Sequence, residues 1–178
     1  MASLFRDDIL DRLKYLDDDA NSIFDSDGRF QVVIVGGGAL VLHGYITRGT
    51  DDIDILDANH KLHELMQSYD MNGDVNAYIN NFPYNYEDRT VLVWSGMKID
   101  YYAASLEDIV ISKLCSSRPD DLTDIEFLVD MIDWEMLEKL ALDEHEIKAS
   151  SLNESRYNDF LDSYGNYKRR FRPCKDYR

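Results

Sequence analysis

Four consecutive β-branched residues, Val32-Val33-Ile34-Val35, run straight into Gly36-Gly37-Gly38 and then into the apolar Ala39-Leu40-Val41-Leu42. β-Branched residues pack well on a pleated sheet, and an unbroken apolar run suits a strand covered on both faces. The pattern therefore predicts a buried strand over 30–35, a glycine turn, and a short helix over 39–45. A second strand is predicted over 52–56, Asp52-Ile53-Asp54-Ile55-Leu56. Residues two apart on a strand face the same way, so Asp52 and Asp54 share one face while Ile53 and Ile55 bury the other. Two carboxylates so placed can hold a divalent cation, whose shell water and phosphate complete. A solvated acidic face is the plainer alternative, but the apolar flanks mark the strand as central. Gly36 and Gly37, between strand and helix, leave backbone N–H groups able to bind phosphate. The spacing is neither a Gly-x-Gly-x-x-Gly fingerprint nor a Walker loop.

Helical spacing of Leu4, Phe5, Ile9, Leu10, Leu13 and Leu16 predicts an amphipathic helix over 3–20, with Ser3 near its cap. Asp25, Asp27 and Gly28 mark a turn, and residues 60–69 a helix. Met71-Asn72-Gly73-Asp74 reads as a turn, and 75–86 as irregular with at most one short helical turn. Strands are predicted over 89–94 and 97–103, joined through Ser95-Gly96 as a two-residue hairpin. Helices follow over 105–114, 120–131, 134–142 and 152–171, with Gly165 a weak point in the last. Strands alternating with helices, then helices alone, predict an α/β (α+β) chain. The expectation is one domain over 1–178, with a core over 30–131 and a helical C-terminal part over 133–178.

The composition carries 19 basic and 35 acidic residues, net −16. Such a charge repels phosphate backbones and argues against general nucleic-acid binding. The exception is the segment from Lys168 to Arg178, with six basic residues and one acid, Asp176. It either packs on the acidic body or contacts RNA or a partner. No apolar run is long enough to span a bilayer, no signal peptide is expected, and Cys115 and Cys174 form no ligand cluster. These features predict a reduced, cytoplasmic protein without a membrane contact.

Asp100 is the natural third acid. It alternates with Ile99 and Tyr101, and if its strand neighbours the Asp52–Asp54 strand, three carboxylates converge for two-metal phosphoryl or nucleotidyl transfer. Asp100 could then also act as base for an attacking hydroxyl. Lys113 lies in the apolar stripe of Leu106, Ile109, Val110 and Leu114, so it must snorkel, find a partner, or reach phosphate. Asp121 and Asp124 could orient it or Arg118, or serve as caps. His43 is either close to substrate or simply packed. His60 and His63 lack further zinc ligands, and Cys115 reads as inert.

Together, Gly36-Gly37-x-Ala39-Leu40, Arg48-x-Thr50-x-Asp52-Ile53-Asp54 and the later Ser105-Leu106-Glu107-Asp108-Ile109, Lys113, Arg118, Asp121-Leu122 and Asp124-Ile125 resemble nucleotidyltransferases of the polymerase β-like fold. The pattern is most similar to the AbiEii/AbiGii toxin type and related bacterial nucleotidyltransferase domains. The resemblance implies a small mixed sheet flanked by helices, and a nucleoside triphosphate held through Mg²⁺ (or Mn²⁺) on Asp52 and Asp54. It implies phosphate contact at Gly37, a nucleotide pocket shaped by Arg48 and Thr50, and a site completed by Lys113 and Asp124. It further implies a toxin-type role in toxin–antitoxin or phage-defence systems, with tRNA as acceptor. The acidity favours instead an antitoxin-type enzyme modifying a partner protein, or a small-molecule acceptor, and the contrasting reading is a non-catalytic nucleotide- or partner-binding module of the same fold. A cognate antitoxin or toxin protein would be the partner.

Overall fold

A computed structural model of the chain describes residues 3–24, 28–56, 59–116 and 118–172. The predicted turn at Asp25 and Asp27 lies outside the described residues, as do residues 173–178 of the basic segment. Contacts divide the chain into a sheet unit, Met1–Ile79 with Glu87–Ser105, and a helical unit, Asn80–Tyr86 with Leu106–Arg178. No described helix is long and apolar enough to cross a membrane.

The sheet unit holds five strands in the order β3-β2-β1-β5-β4. They are β1 (Phe30–Val35), β2 (Ile53–Leu56), β3 (Met71–Asn72), β4 (Val91–Ser95) and β5 (Ile99–Ala103). The sheet is mixed: β1 runs antiparallel to β2 and parallel to β5, β2 is parallel to β3, and β4 is antiparallel to β5. The bounds of β1 match the apolar run, and all its residues but Gln31 are buried, as befits the central strand. The helices of this unit are α1 (Arg6–Ile23), α2 (Gly36–His43) and α3 (His60–Gln67).

One face of the sheet carries Ile34, Ile53, Ile55, Ile99 and Tyr101. It meets α2, where Gly38 lies against Ile34 and Ile53, and α1, where the Tyr101 hydroxyl donates to the Leu13 carbonyl at 2.9 Å. Helix α1 buries Ile9, Leu13, Leu16, Asp17 and Ala20. It begins later than the spacing predicts. Leu4 instead pairs with Thr50 as an isolated bridge, Phe5 is exposed, and the Phe5 N–H donates to Asp8 at 2.9 Å, so Ser3 is not the cap.

Three local expectations are corrected. The glycines are not a loop before α2 but its first turn, and the helix ends at Gly44 in the left-handed region, with φ 76°. Met71-Asn72 is not a turn but a short strand on β2. The hairpin turn is not Ser95-Gly96, because Ser95 still pairs with Asp100 and the Gly96 N–H donates to the Ile99 carbonyl at 2.8 Å. Met97-Lys98 makes the turn, and its cause is distant in sequence. Asp17 of α1, 2% exposed, accepts from the N–H groups of Met97, Lys98 and Ile99 at 2.7, 2.8 and 2.7 Å. Gly96 leaves room for it: an added Cβ would sit 2.2 Å from the Asp17 carboxyl carbon.

The helical unit contains α4 (Leu106–Ser116), α5 (Pro119–Glu126), α6 (Trp134–Leu142), α7 (Ile147–Ser150) and α8 (Glu154–Phe171). Pro119 opens α5, where its missing N–H costs nothing, and Asp133 caps α6 by accepting from Glu135 and Met136. Helix α5 ends at Glu126, short of the predicted 131, while α8 runs through Gly165 unbroken. The irregular stretch is more ordered than its composition suggests, with 3₁₀ helices over Asp74–Asn81 and Tyr86–Arg89.

Candidate functional site

The C-terminal end of β1 delivers the chain into α2 at Gly36, and neighbouring β2 brings Asp54 to the same level, where Val35 pairs with Asp54. Gly36 has φ +60°, a conformation that side chains resist. A Cβ there would also stand 3.0 Å from Asp54 Oδ2, so the carboxylate lies directly over the glycine. Gly37 is equally constrained: an added Cβ would meet Thr50 Oγ1 at 2.6 Å. The structure thus gathers Gly36, Gly37, Thr50 and Asp54 into one corner of the sheet unit, at a helix N-terminus whose cap residue, Val35, supplies no side-chain hydrogen bond.

The loop feeding this corner is tied down on both sides. Leu4 and Thr50 exchange backbone hydrogen bonds at 2.6 and 2.9 Å, and Gly49 passes so close to Ser3 that a Cβ would come within 2.7 Å. The Thr50 hydroxyl donates to the Asp52 carbonyl at 3.2 Å, and the Ile53 N–H donates to the Asp70 carbonyl at 3.2 Å. Asp70 is itself paired with Arg12. Asp52 is exposed and just precedes β2, while Arg48 is exposed in the loop before it. Asp54 Oδ1 accepts from Asn72 Nδ2 at 3.0 Å. The Asn-Gly of Asn72-Gly73 reads locally as a turn, so no local pattern points to this contact.

Asp100 does not join them. Strand β1 separates β5 from β2, and Asp100 pairs with Gln31 whereas Asp54 pairs with Val35. Both acids lie on the same sheet face, but four residues of β1 separate their levels, about 13 Å along the strand and about 10 Å across two strand spacings. Nor is Asp100 a solvated strand residue. It forms a two-oxygen pair with Arg29, whose Nε donates at 3.2 Å, and it accepts from the Ser95 hydroxyl at 2.5 Å. Arg29 also donates to the Met97 carbonyl at 2.8 Å. The Arg29 hydrogen bonds, with that of Ser95, hold the Asp100 carboxyl below the usual carboxylate range. Among the described residues no group of three or more His, Cys, Asp or Glu is arranged to hold a metal ion. The expected convergence of three carboxylates is therefore not found. Magnesium binds through as few as one or two carboxylates and takes the rest of its shell from water and phosphate, so Asp54, with Asp52 two residues before it in sequence, still fits it.

Lys113 and Asp124 belong to the helical unit and meet there. Lys113 Nζ, its side chain 11% exposed, lies 2.8 Å from Asp121 Oδ1 and 3.0 Å from Asp124 Oδ2. Arg118 Nε donates to Asp121 Oδ2 at 2.7 Å, and the Ser116 hydroxyl donates to the same carboxylate. Burial works to raise the Asp121 carboxyl, but hydrogen bonds from Lys113 and Ser116, the Lys113 charge and the Arg118 bond outweigh it and hold the group low. The lysine in the apolar stripe is thus partnered rather than snorkelling.

Other candidates have structural partners. His43 Nε2 is 3.0 Å from the Ala104 carbonyl. Burial pushes the Cys115 thiol up to about 12, so it stays protonated at neutral pH. The described part of the basic segment packs on its own unit: Lys168 and Arg172 both pair with Glu138, and Arg170 pairs with Glu126 at 2.8 Å.

No curated protein and no solved structure matches the chain. Residues 11–172 match the family described as a nucleotidyltransferase of unknown function, DUF6036. That stretch takes in the Gly36–Asp54 corner, the whole sheet, and the Lys113 cluster, and the chain belongs to this nucleotidyltransferase family.

Proposed function

We propose that the chain transfers a nucleoside monophosphate from a nucleoside triphosphate to an acceptor hydroxyl, in a magnesium-dependent reaction centred on the Gly36–Asp54 corner. The observation that carries this reading is the placement of Asp54 Oδ2 over Gly36, at the N-terminal turn of α2. Acid and turn complement each other. The carboxylate attracts a cation, and the N–H groups of the turn, at the positive end of the helix dipole, favour phosphate oxygens. Gly36 and Gly37, lacking side chains, let the Asp54 carboxylate and the Thr50 hydroxyl close onto this turn. Thr50 lies against Gly37, and Asp52 and Arg48 are exposed in the segment that leads into β2. Asp52 and Asp54 would hold Mg²⁺ or Mn²⁺, which supplies neutralisation of phosphate charge. The acceptor oxygen bonds to the α-phosphorus, the bond to pyrophosphate breaks, and the hydroxyl proton is released to solvent.

A toxin-type enzyme of a toxin–antitoxin or phage-defence pair, acting on tRNA, is the role suggested by resemblance to the AbiEii/AbiGii type. A second reading, an antitoxin-type enzyme modifying a hydroxyl of its partner protein, is favoured by the net charge of −16. The pairing of Lys168, Arg170 and Arg172 with Glu138 and Glu126 favours it too. Nucleoside triphosphates labelled at the α-phosphate, incubated with the protein, Mg²⁺ and either total tRNA or the product of a neighbouring gene, test both. Label on tRNA supports the first reading and label on protein the second. No transfer from any of the four triphosphates, together with no metal-dependent nucleotide binding, would falsify nucleotidyl transfer itself.

A further inference from the structure

Asp54 is a useful ligand only if its carboxylate is turned correctly, and a neighbour on the adjoining strand holds one of its oxygens. Asn72 stands opposite Asp54 in the parallel β2–β3 register. Its amide is held at both ends. Nδ2 donates to Asp54 Oδ1 at 3.0 Å, and Oδ1 accepts from the Asp74 N–H at 3.0 Å. A carboxylate only accepts and a backbone N–H only donates, so chemistry permits one orientation of the amide.

The segment behind Asn72 is braced in turn. His63 of α3 lies over Gly73, where a Cβ would come within 2.8 Å of Nδ1. His63 Nε2 is 3.5 Å from Asp74 Oδ1. Helix α3 is fixed by its buried Leu62 and Met66. A chain of contacts therefore runs from a packed helix, through the Gly73–Asp74 turn and the Asn72 amide, to one oxygen of Asp54.

We propose that Asn72 is the positioning residue of Asp54: by holding Oδ1, it presents Oδ2 at the Gly36 turn. This rests on the nucleotidyl-transfer reading and adds to it the device that orients its carboxylate. An amide suits the task because it directs the carboxylate without bringing a charge of its own. A lysine or arginine would direct it equally well but compete with the cation for the same oxygens. Partners that orient metal-binding carboxylates typically govern metal affinity or activity by about 10–100-fold.

The test titrates the intact protein with Mn²⁺ alone, reading free metal by electron paramagnetic resonance, alongside thermal melting and transfer rate. Asp54→Ala is expected to lose the Mn²⁺ site. Asn72→Ala is expected to weaken Mn²⁺ binding about tenfold or more. Asn72→Asp separates the two ends of the amide, since its carboxylate still accepts from the Asp74 N–H but cannot donate to Asp54. It sets a second carboxylate against Asp54, so it is expected to melt somewhat lower than the wild type near neutral pH and to transfer about tenfold more slowly or worse. Wild-type Mn²⁺ affinity in Asn72→Ala, or wild-type transfer in Asn72→Asp, overturns the positioning role while leaving the function standing. A wild-type protein that binds no Mn²⁺, or an Asp54→Ala variant that binds it unchanged, overturns the functional reading and this inference with it.

Discussion

The two ends of the same sheet use carboxylates in opposite ways. At the hairpin end, Asp17 accepts three backbone N–H groups, and Asp100 is clamped by Arg29 and Ser95. Asp17 completes the donors that a tight turn leaves over, and the two acids pin β4 and β5 to α1 and to the residue preceding β1. At the other end, Asp54 lies over a glycine in the left-handed region, beside a helix N-terminus. The hairpin acids stabilise a turn and a strand pair, whereas the corner acid lies against the first turn of a helix. The donors around a carboxylate, rather than the strand face it leaves from, distinguish the two roles.

The largest expected effect is at the corner. Asp54→Ala should lower transfer about 10³-fold, the scale on which a transition-state contact is felt, with little change in melting temperature. A labelled-triphosphate assay beside a melting curve reads both, and retained transfer would break the comparison at once. Asp17→Ala should do the reverse. It strands three N–H groups at a buried turn, and a loss of about 3 kcal/mol in denaturant unfolding is expected, while material that still folds keeps transfer. Gly36→Ala comes next, with an unfavourable φ and a methyl 3.0 Å from Asp54 Oδ2. A loss of about tenfold or more in transfer, from roughly 1–2 kcal/mol of strain, is the expectation, checked by comparing kcat and KM.

The smallest effect sharpens the comparison most. Asp100→Asn should leave transfer within about twofold and alter only the acid limb of stability. Because the folded Asp100 carboxyl is held below its ordinary value of 3.8, its contribution is complete above that value and is lost as pH falls through the lower, folded one. Unfolding free energy measured from about pH 5 down to about pH 2 should therefore decline less steeply in the variant. A collapse of transfer instead would return Asp100 to the site.

The sequence made one half of this legible. Strand β1 and helix α6 occupy the residues that their patterns predict, because a buried strand and a capped amphipathic helix are written in contiguous residues. The glycines, Thr50 and Asp54 of the corner likewise fall within one short stretch of sequence, whereas Asp52 lies just before β2 and outside the alternation expected of it. Asp100 lies away from the corner for a reason that sequence does not carry: alternation gives the face of a strand but neither its neighbour nor its level. The turn at Met97-Lys98 depends on Asp17, some 80 residues earlier, and β3 on register with β2. No local pattern reports contacts of that separation. Lys113 was legible as a lysine needing a partner, and Asp121 and Asp124 as its neighbours, because all three fall within two adjoining helices.

The pairing of β1 with β5, from Phe30↔Ile99 to Ile34↔Ala103, has a consequence for synthesis. A nascent chain that has emerged through β3 holds every residue of the Gly36–Asp54 corner, yet its central strand still lacks one of its two neighbours. Until roughly 70 further residues have followed β1 out of the ribosome, that open edge is exposed to other chains. A fragment ending at Asn72 would accordingly carry the corner's chemistry on an unfinished sheet, prone to aggregation. The smallest expressible version of the corner therefore extends at least through Ala103.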